Sequence, residues 1–376
     1  MEQNILSILG VAGKEDVISN LLRYCIEAST TFRDAFLQNI CDIDPSGITD
    51  ARVFTRVSTG SSGVPDMVIA IQRQGAKQLV IMENKLKADE GSNQTKDYAS
   101  TECKNAIKER LGWSNDAVDV KCVFLSLFPD QKPESSAFRS ATFKNLLNAG
   151  LDSSTLGDSN AKLLIASWIS LLSGFYSKGK VSDSDVFLAK MQEPDDLEGN
   201  FLYFRSFLEG LRLEGGLEVD ETFRGSARGR HYFGAKICKP SWRPGEMKGV
   251  NGVFQLDAKR DFNIHFEPQF NLLTGFFNFY LHYEVNPYRP VAWVKKNVSL
   301  SQYEEYNRVR DSFKEELRSK GIGGLSVGGR SNQAAKAVFD LKGRTVAESR
   351  SLISEIIHTV ASQIDEIIKR PGGIFS

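Results

Sequence analysis

Histidine is scarce in this chain. Four occur in 376 residues (His231, His265, His282 and His358), and none is spaced as a metal ligand pair along the sequence. That argues against an HNH-type nuclease, a histidine-based hydrolase and a zinc enzyme. The five cysteines (Cys25, Cys41, Cys103, Cys122 and Cys238) are widely scattered, with no Cys-x-x-Cys. Neither a zinc ribbon nor a disulfide framework is indicated, and a reducing, cytoplasmic setting is expected. No apolar run is long enough to span a membrane. The apolar stretch Ile5 to Val11 is too short, and lacks the basic start, for a signal peptide. There is no internal repeat and no extended low-complexity segment. Gly321 to Arg330 is rich in glycine and reads as a flexible loop, but carries neither GxGxxG nor a P-loop ending. Any dependence on ATP would have to come from a partner.

What is present is concentrated near residue 75. Val64-Pro65-Asp66-Met67-Val68-Ile69-Ala70-Ile71 and Gln78-Leu79-Val80-Ile81-Met82-Glu83-Asn84-Lys85 read as two strands joined by a short polar turn holding Gly75. A two-residue turn centred on Gln74-Gly75 makes the numbers of cross-strand partners sum to 149. Asp66 then lies opposite Glu83, with Cβ atoms roughly 5 Å apart. Lys85 shares their face because strand side chains repeat every second residue. Met67, Ile69 and Ile71 are expected on the other face with Val80 and Met82. Both faces are apolar away from the charges, so the hairpin belongs inside a covered sheet.

Two carboxylates held this close repel, and one pKa must rise unless a cation intervenes. A hard dication such as Mg²⁺, or Mn²⁺, with oxygen ligands at about 2.1 Å, removes the conflict. It would also polarise a phosphoryl oxygen and acidify a bound water. Lys85 is placed to orient that water and offset developing charge. The alternative is a surface hairpin with an ordinary Glu–Lys pair. The pattern is common by chance, but elsewhere it is incomplete. Pro129-Asp130 and Pro194-Asp195 lack a following Glu/Asp-x-Lys strand, and Asp257-Ala258-Lys259, after the strand-like Gly252 to Leu256, has no Pro-Asp hairpin before it.

On these residues the segment from Glu15 to Phe128, about a third of the chain, resembles the PD-(D/E)xK (restriction-endonuclease-like) nuclease superfamily. Pro65-Asp66 matches its first motif and Glu83-Asn84-Lys85 its second. The polar loop and Gln94-x-x-x-Tyr98 helix that follow are similar to a bacterial, defence-associated branch. The resemblance implies Asp66 and Glu83 as metal ligands, Lys85 as the catalytic ammonium and Gln94 as a further site residue. It also implies Glu15 as an extra ligand on the first helix, Glu27 as a weaker substitute, and the Asn84 carbonyl as another. Gln94 and Tyr98 equally suit a helix packing its aromatic on the sheet, and Glu15 suits a first-turn carboxylate favouring the helix dipole. The order agrees with the superfamily core: helices at Glu15 to Ala28 and Phe32 to Ile40, strands at Arg52 to Val57 and through the hairpin, a helix from Asn93 to Leu111, and a strand from Val120 to Phe128.

Length suggests two domains, 1–180 and 181–376, divided in the polar stretch Ser177 to Asp185 after an apolar helix, Ala161 to Tyr176. The second domain reads as α+β. Strands are expected at His231 to Ile237, Phe262 to Glu267 and Gly275 to Glu284, with helices at Ser301 to Lys320 and Ala347 to Lys369. Net charge is zero but uneven: Val181 to Asp220 is acidic, and Phe223 to Arg260 is basic with Tyr232, Phe233 and Trp242 interleaved. That mixture suits a nucleic acid, or a solvated strand edge. The expectation is an α/β nuclease with a mixed central sheet flanked by helices. It would be a Mg²⁺- or Mn²⁺-dependent endonuclease on DNA, with RNA left open, and no membrane partner. The resemblance adds an anti-phage effector role held off by a partner or signal; a regulatory or NTPase protein partner is expected, and cutting both strands would suit a homodimer. The competing reading is a non-catalytic nucleic-acid-binding or protein-interaction subunit that keeps the fold.

Overall fold

The structure, a computed structural model, describes residues 5–11, 13–86, 90–129, 131–149, 153–191, 197–227, 230–250, 253–272, 274, 276–321, 324–328 and 332–375. The chain divides into two compact units, Met1–Ser177 and Lys178–Ser376.

The first unit opens with α1 (Ile5–Ile8), α2 (Glu15–Ala28) and α3 (Thr30–Asn39). Glu15 and Asp16 occupy the first turn of α2, where they complement the helix dipole, and Ile18, Leu21, Leu22, Cys25 and Ile26 bury one face. Ser29 ends α2 and caps α3 by accepting from Phe32 N. The strands are β1 (Ile48–Thr55), β2 (Met67–Arg73), β3 (Ala76–Lys85), β4 (Val118–Ser126) and β5 (Phe138–Thr142). They lie in sequence order: β1, β2 and β3 antiparallel, β4 and β5 parallel to β3. Between β3 and β4 run α4 (Gln94–Ala99) and α5 (Thr101–Arg110); α6 (Phe143–Asn148) and α7 (Ser159–Lys178) follow β5. This is a mixed sheet flanked by helices, as expected from the sequence.

The hairpin register is the predicted one. Met67 pairs with Met82, Ile69 with Val80 and Arg73 with Ala76, so the turn is Gln74-Gly75. Gly75 adopts φ +75°, a conformation that favours glycine. Val68, Leu79, Ile81 and Phe124 pack with Tyr98, Cys103 and Ile107 on one face. Met67, Ile69, Ile71, Val80 and Met82 are fully buried on the other, where α2 meets β1 and β3. The expected single helix from Asn93 to Leu111 is instead two. Ser100 interrupts it with extended backbone and caps α5 by accepting from Cys103 N at 3.1 Å.

The second unit contains α8 (Phe187–Lys190) and α9 (Leu197–Glu209), then β6 (Glu218–Ala227), β7 (Arg230–Cys238), β8 (Lys248–Val250), β9 (Val253–Gln255), β10 (Phe262–Asn271) and β11 (Phe277–Val285). After these come α10 (Val291–Asn297), α11 (Leu300–Ser319), β12 (Ser326–Val327), β13 (Gln333–Phe339) and α12 (Val346–Lys369). Six strands form an antiparallel sheet in the order β12-β13-β11-β10-β7-β6. Phe233, Phe266, Phe270, Phe277, Phe279 and Leu281 bury its apolar face. Ring contacts tie that face to Phe187, Phe201 and Phe207. The expected strands and helices are present, Gly275 at the start of one lying outside the described residues, but α8, α9, α10, β6, β8 and β13 escaped the sequence reading. The glycine-rich stretch also contributes β12, paired to β13; its Gly323 and Gly329 lie outside the described residues.

Candidate metal and nucleophile-activating site

Asp66 stands one residue before β2 begins, and Glu83 and Lys85 end β3 on the face that carries Leu79 and Ile81. Lys85 Nζ lies 2.6 Å from Glu83 Oε1. Glu83 is 1% exposed and Lys85 7%. Despite the close ammonium, neither Glu83 oxygen has an aligned hydrogen-bond donor. Buried acceptors without donors are costly, and such a pair is an invitation to a cation. Asp66 Oδ2 accepts from the Asn84 N–H at 2.9 Å, which fixes the first carboxylate against the strand bearing the second.

The electrostatics follow from this crowding. Burial pushes the Glu83 carboxyl up to about 8, with the Asp66 charge adding to it and Lys85 opposing. Burial also raises Asp66, and Glu15 adds to the rise against the pull of the Asn84 N–H and Lys85. Burial pulls the Lys85 ammonium down, but Glu83, Glu15 and Asp66 outweigh it and leave it raised. Three carboxylates therefore act on one another around one ammonium. Fully ionised they would leave two negative charges in excess, the complement of a dication.

Glu15 reaches the site from the start of α2, where its Oε1 accepts from Leu86 N at 2.8 Å. Glu27 does not. Its Oε1 accepts from Val53 N at 2.9 Å, and twelve helical residues place it about 18 Å along the axis from Glu15. Asn84 points its side chain to the opposite face. There Nδ2 donates to Ser19 Oγ at 2.7 Å, and Ser19 Oγ donates to Glu15 O at 2.9 Å. Its Oδ1 has no hydrogen-bond partner but belongs to the same side chain on that opposite face, so on the carboxylate side it is the main-chain carbonyl that could serve as a metal ligand. Gln94 Nε2 donates to Tyr98 Oη at 3.1 Å, and its Oε1 accepts from Gly91 N at 3.2 Å. Tyr98 is the link to the site. Burial raises its phenol, the Glu83 and Asp66 charges raise it further, and it bonds the Val64 main chain ahead of Asp66.

One contributor to the site and one separate cluster escaped the sequence reading. Gly63, at φ +93°, lies so close to Tyr98 that a Cβ there would meet Cε1 at 2.8 Å. The Gly-Val-Pro-Asp run was the visible signal. The other is in the second unit, where β10 and β11 place His265 directly opposite His282, with Glu267 beside both. No histidines are in metal-ligand spacing along the sequence; strand pairing brings together two that stand seventeen residues apart. Two His-x-Glu triplets, 265–267 and 282–284, were its trace in the sequence.

Part of the basic stretch is taken up within the fold. Lys236, Lys239 and Arg243 pair with Glu221, Asp365 and Asp220 at 2.7, 2.9 and 2.9 Å. Trp242 and Phe233 are core residues, 0% and 1% exposed, and cannot stack bases. Arg228 lies outside the described residues. Among the described residues no helix is long and apolar enough to cross a membrane. No protein-family model matches the chain, and comparison with curated proteins and with solved structures finds no match.

Proposed function

We propose that the first unit is a PD-(D/E)xK-type nuclease that hydrolyses phosphodiester bonds of DNA with Mg²⁺ or Mn²⁺. The observation that carries this reading is Glu83, a buried carboxylate ion-paired with Lys85 but without an aligned hydrogen-bond donor, grouped with Asp66 and Lys85 at the end of the hairpin. Asp66 and Glu83 would hold the ion, with Glu15 and the Asn84 carbonyl as further oxygen donors. Bound there, a dication supplies Lewis acidity and an acidified water. The chain's own residues do the rest. The Asn84 N–H fixes Asp66, Glu83 keeps Lys85 protonated, and Lys85 presents an ammonium that can hold the attacking water and neutralise charge growing on phosphorus. Gln94 acts through Tyr98 as a positioning residue. The order helix, three strands, helices and strand around a mixed sheet supports the same superfamily core.

Cleavage of supercoiled plasmid in Mg²⁺ or Mn²⁺ tests the reading. Cutting by the wild type that Glu83→Ala and Lys85→Ala both lose supports it. Cutting that survives both variants rejects it.

A further inference from the structure

The two faces of the sheet in the second unit differ. Along β10 and β11, Phe262, Ile264, Phe266 and Leu281 alternate with His265, Glu267, His282 and Glu284. The first set packs against helices. The second gathers titratable groups on the other face, and one of them is deeply buried. His265 is 0% exposed, yet neither of its ring nitrogens has a hydrogen-bond partner. A buried imidazole in that state recovers little of its lost hydration, so the geometry has room for a ligand.

His265 Nε2 and His282 Nε2 stand 3.7 and 3.8 Å from the same atom, Glu267 Oε2. The two rings are nearly parallel, 13° apart with centroids at 5.3 Å. One ligand atom from each of the three residues falls within 4.8 Å of the others. Around a tetrahedral ion with bonds of about 2.0 Å, ligand atoms sit about 3.3 Å apart. The observed spacing needs an adjustment of only a few tenths of an ångström for the carboxylate pairs. The other nitrogen of His282, Nδ1, lies 3.3 Å from Glu284 Oε1 without yet being aligned for a hydrogen bond, which a small turn of either side chain would make. A carboxylate behind a histidine fixes its tautomer and raises its basicity toward a metal. Glu284 is itself buried, at 7% exposure. Two imidazoles with one carboxylate suit a first-row transition ion better than Mg²⁺, which takes oxygen ligands.

We propose that His265, Glu267 and His282 form a second metal site, which takes a divalent transition ion of the zinc type, with Glu284 orienting His282. Three protein ligands leave a coordination position for water or a substrate atom, the pattern of an open site. The site lies within the second unit and does not depend on the nuclease reading.

The test is titration of the full chain, purified without a polyhistidine tag and stripped with EDTA, using Zn²⁺ alone. An Asp66→Asn/Glu83→Gln background silences the first unit. The expected result is one Zn²⁺ per chain, lost at least 100-fold in affinity in His282→Gln and in Glu267→Gln, and weakened about tenfold in Glu284→Gln. Bound Co²⁺ should give the visible spectrum of a nitrogen-ligated ion. His265→Ala removes a core side chain and could unfold the unit, so the more exposed His282 and Glu267 carry the test, with folding checked by circular dichroism. Absence of Zn²⁺ binding in the folded background protein, or binding unchanged in both variants, would overturn the proposal.

Discussion

The peptide N–H of Asn84 donates to Asp66 Oδ2 at 2.9 Å, so the first carboxylate of the site is held by the residue between the second carboxylate and the lysine. Motif spacing thereby becomes geometry. Glu83 and Lys85 face the site, and the peptide between them pins Asp66 there.

The pH dependence follows from Glu83. Its carboxyl is pushed up to about 8 in the fold, against about 4.3 when unfolded. Between those values the folded metal-free chain binds more protons than the unfolded one. Its contribution to stability is present below the unfolded pKa and is lost as pH rises through the folded one. A dication must displace that proton. Mn²⁺ affinity should therefore rise from pH 6 toward 8, approaching about tenfold per unit for one proton released, and then level off. Glu83→Gln, which removes a ligand, should abolish binding across the whole range. Calorimetry at three pH values checks this, and a flat wild-type profile would contradict it.

Gly63→Ala combines a φ of +93° with a Cβ 2.8 Å from Tyr98 Cε1. We expect a loss of about 1–3 kcal/mol in a denaturant titration. Cleavage should fall too, because the same loop leads into Asp66. Adding Tyr98→Ala removes the clash but not the backbone strain, so the double variant should lose less than the sum of the two single losses.

Ser19→Ala should separate scaffold from chemistry. It leaves Asn84 Nδ2, in a residue 0% exposed, without its acceptor, at a cost of about 1–3 kcal/mol. Metal-dependent cutting should stay within a few-fold of wild type at temperatures where the variant is folded. A cleavage defect as deep as that of Glu83→Ala, with unchanged stability, would assign Ser19 a role the geometry does not.

Gln94→Ala and Tyr98→Phe should resemble each other, since Gln94 is joined to the site through the Tyr98 hydroxyl at 3.1 Å. Both should lower kcat for plasmid nicking more than they lower melting temperature. The double variant should be no worse than the more affected single one. Additive losses would mean that Gln94 acts on the ion or substrate directly.

The hairpin was legible because three local signals agree: apolar alternation, a glycine at the turn, and a charge pair in phase with the strand. Register then follows from turn length, and Met67 does pair with Met82. Ser100 was harder, because a serine inside a helical pattern splits the helix only when its side chain caps the next one. Trp242 was misread for a different reason. Its neighbours along the chain are basic, but its indole Nε1–H donates to Asp365 Oδ1 at 2.8 Å, over a hundred residues away. His265 and His282 were missed for another reason. β10 and β11 are consecutive strands paired antiparallel, but without a turn signal like that at Gly75 their register, which sets the two imidazoles opposite each other, was not read.

The most direct test of the central claim, that Asp66 and Glu83 share one dication, is a Mn²⁺ titration of the full chain in a His282→Gln background, with and without Asp66→Asn or Glu83→Gln. The account predicts one Mn²⁺ bound at pH 8 and lost on either substitution. Binding that persists undiminished in both variants would contradict it.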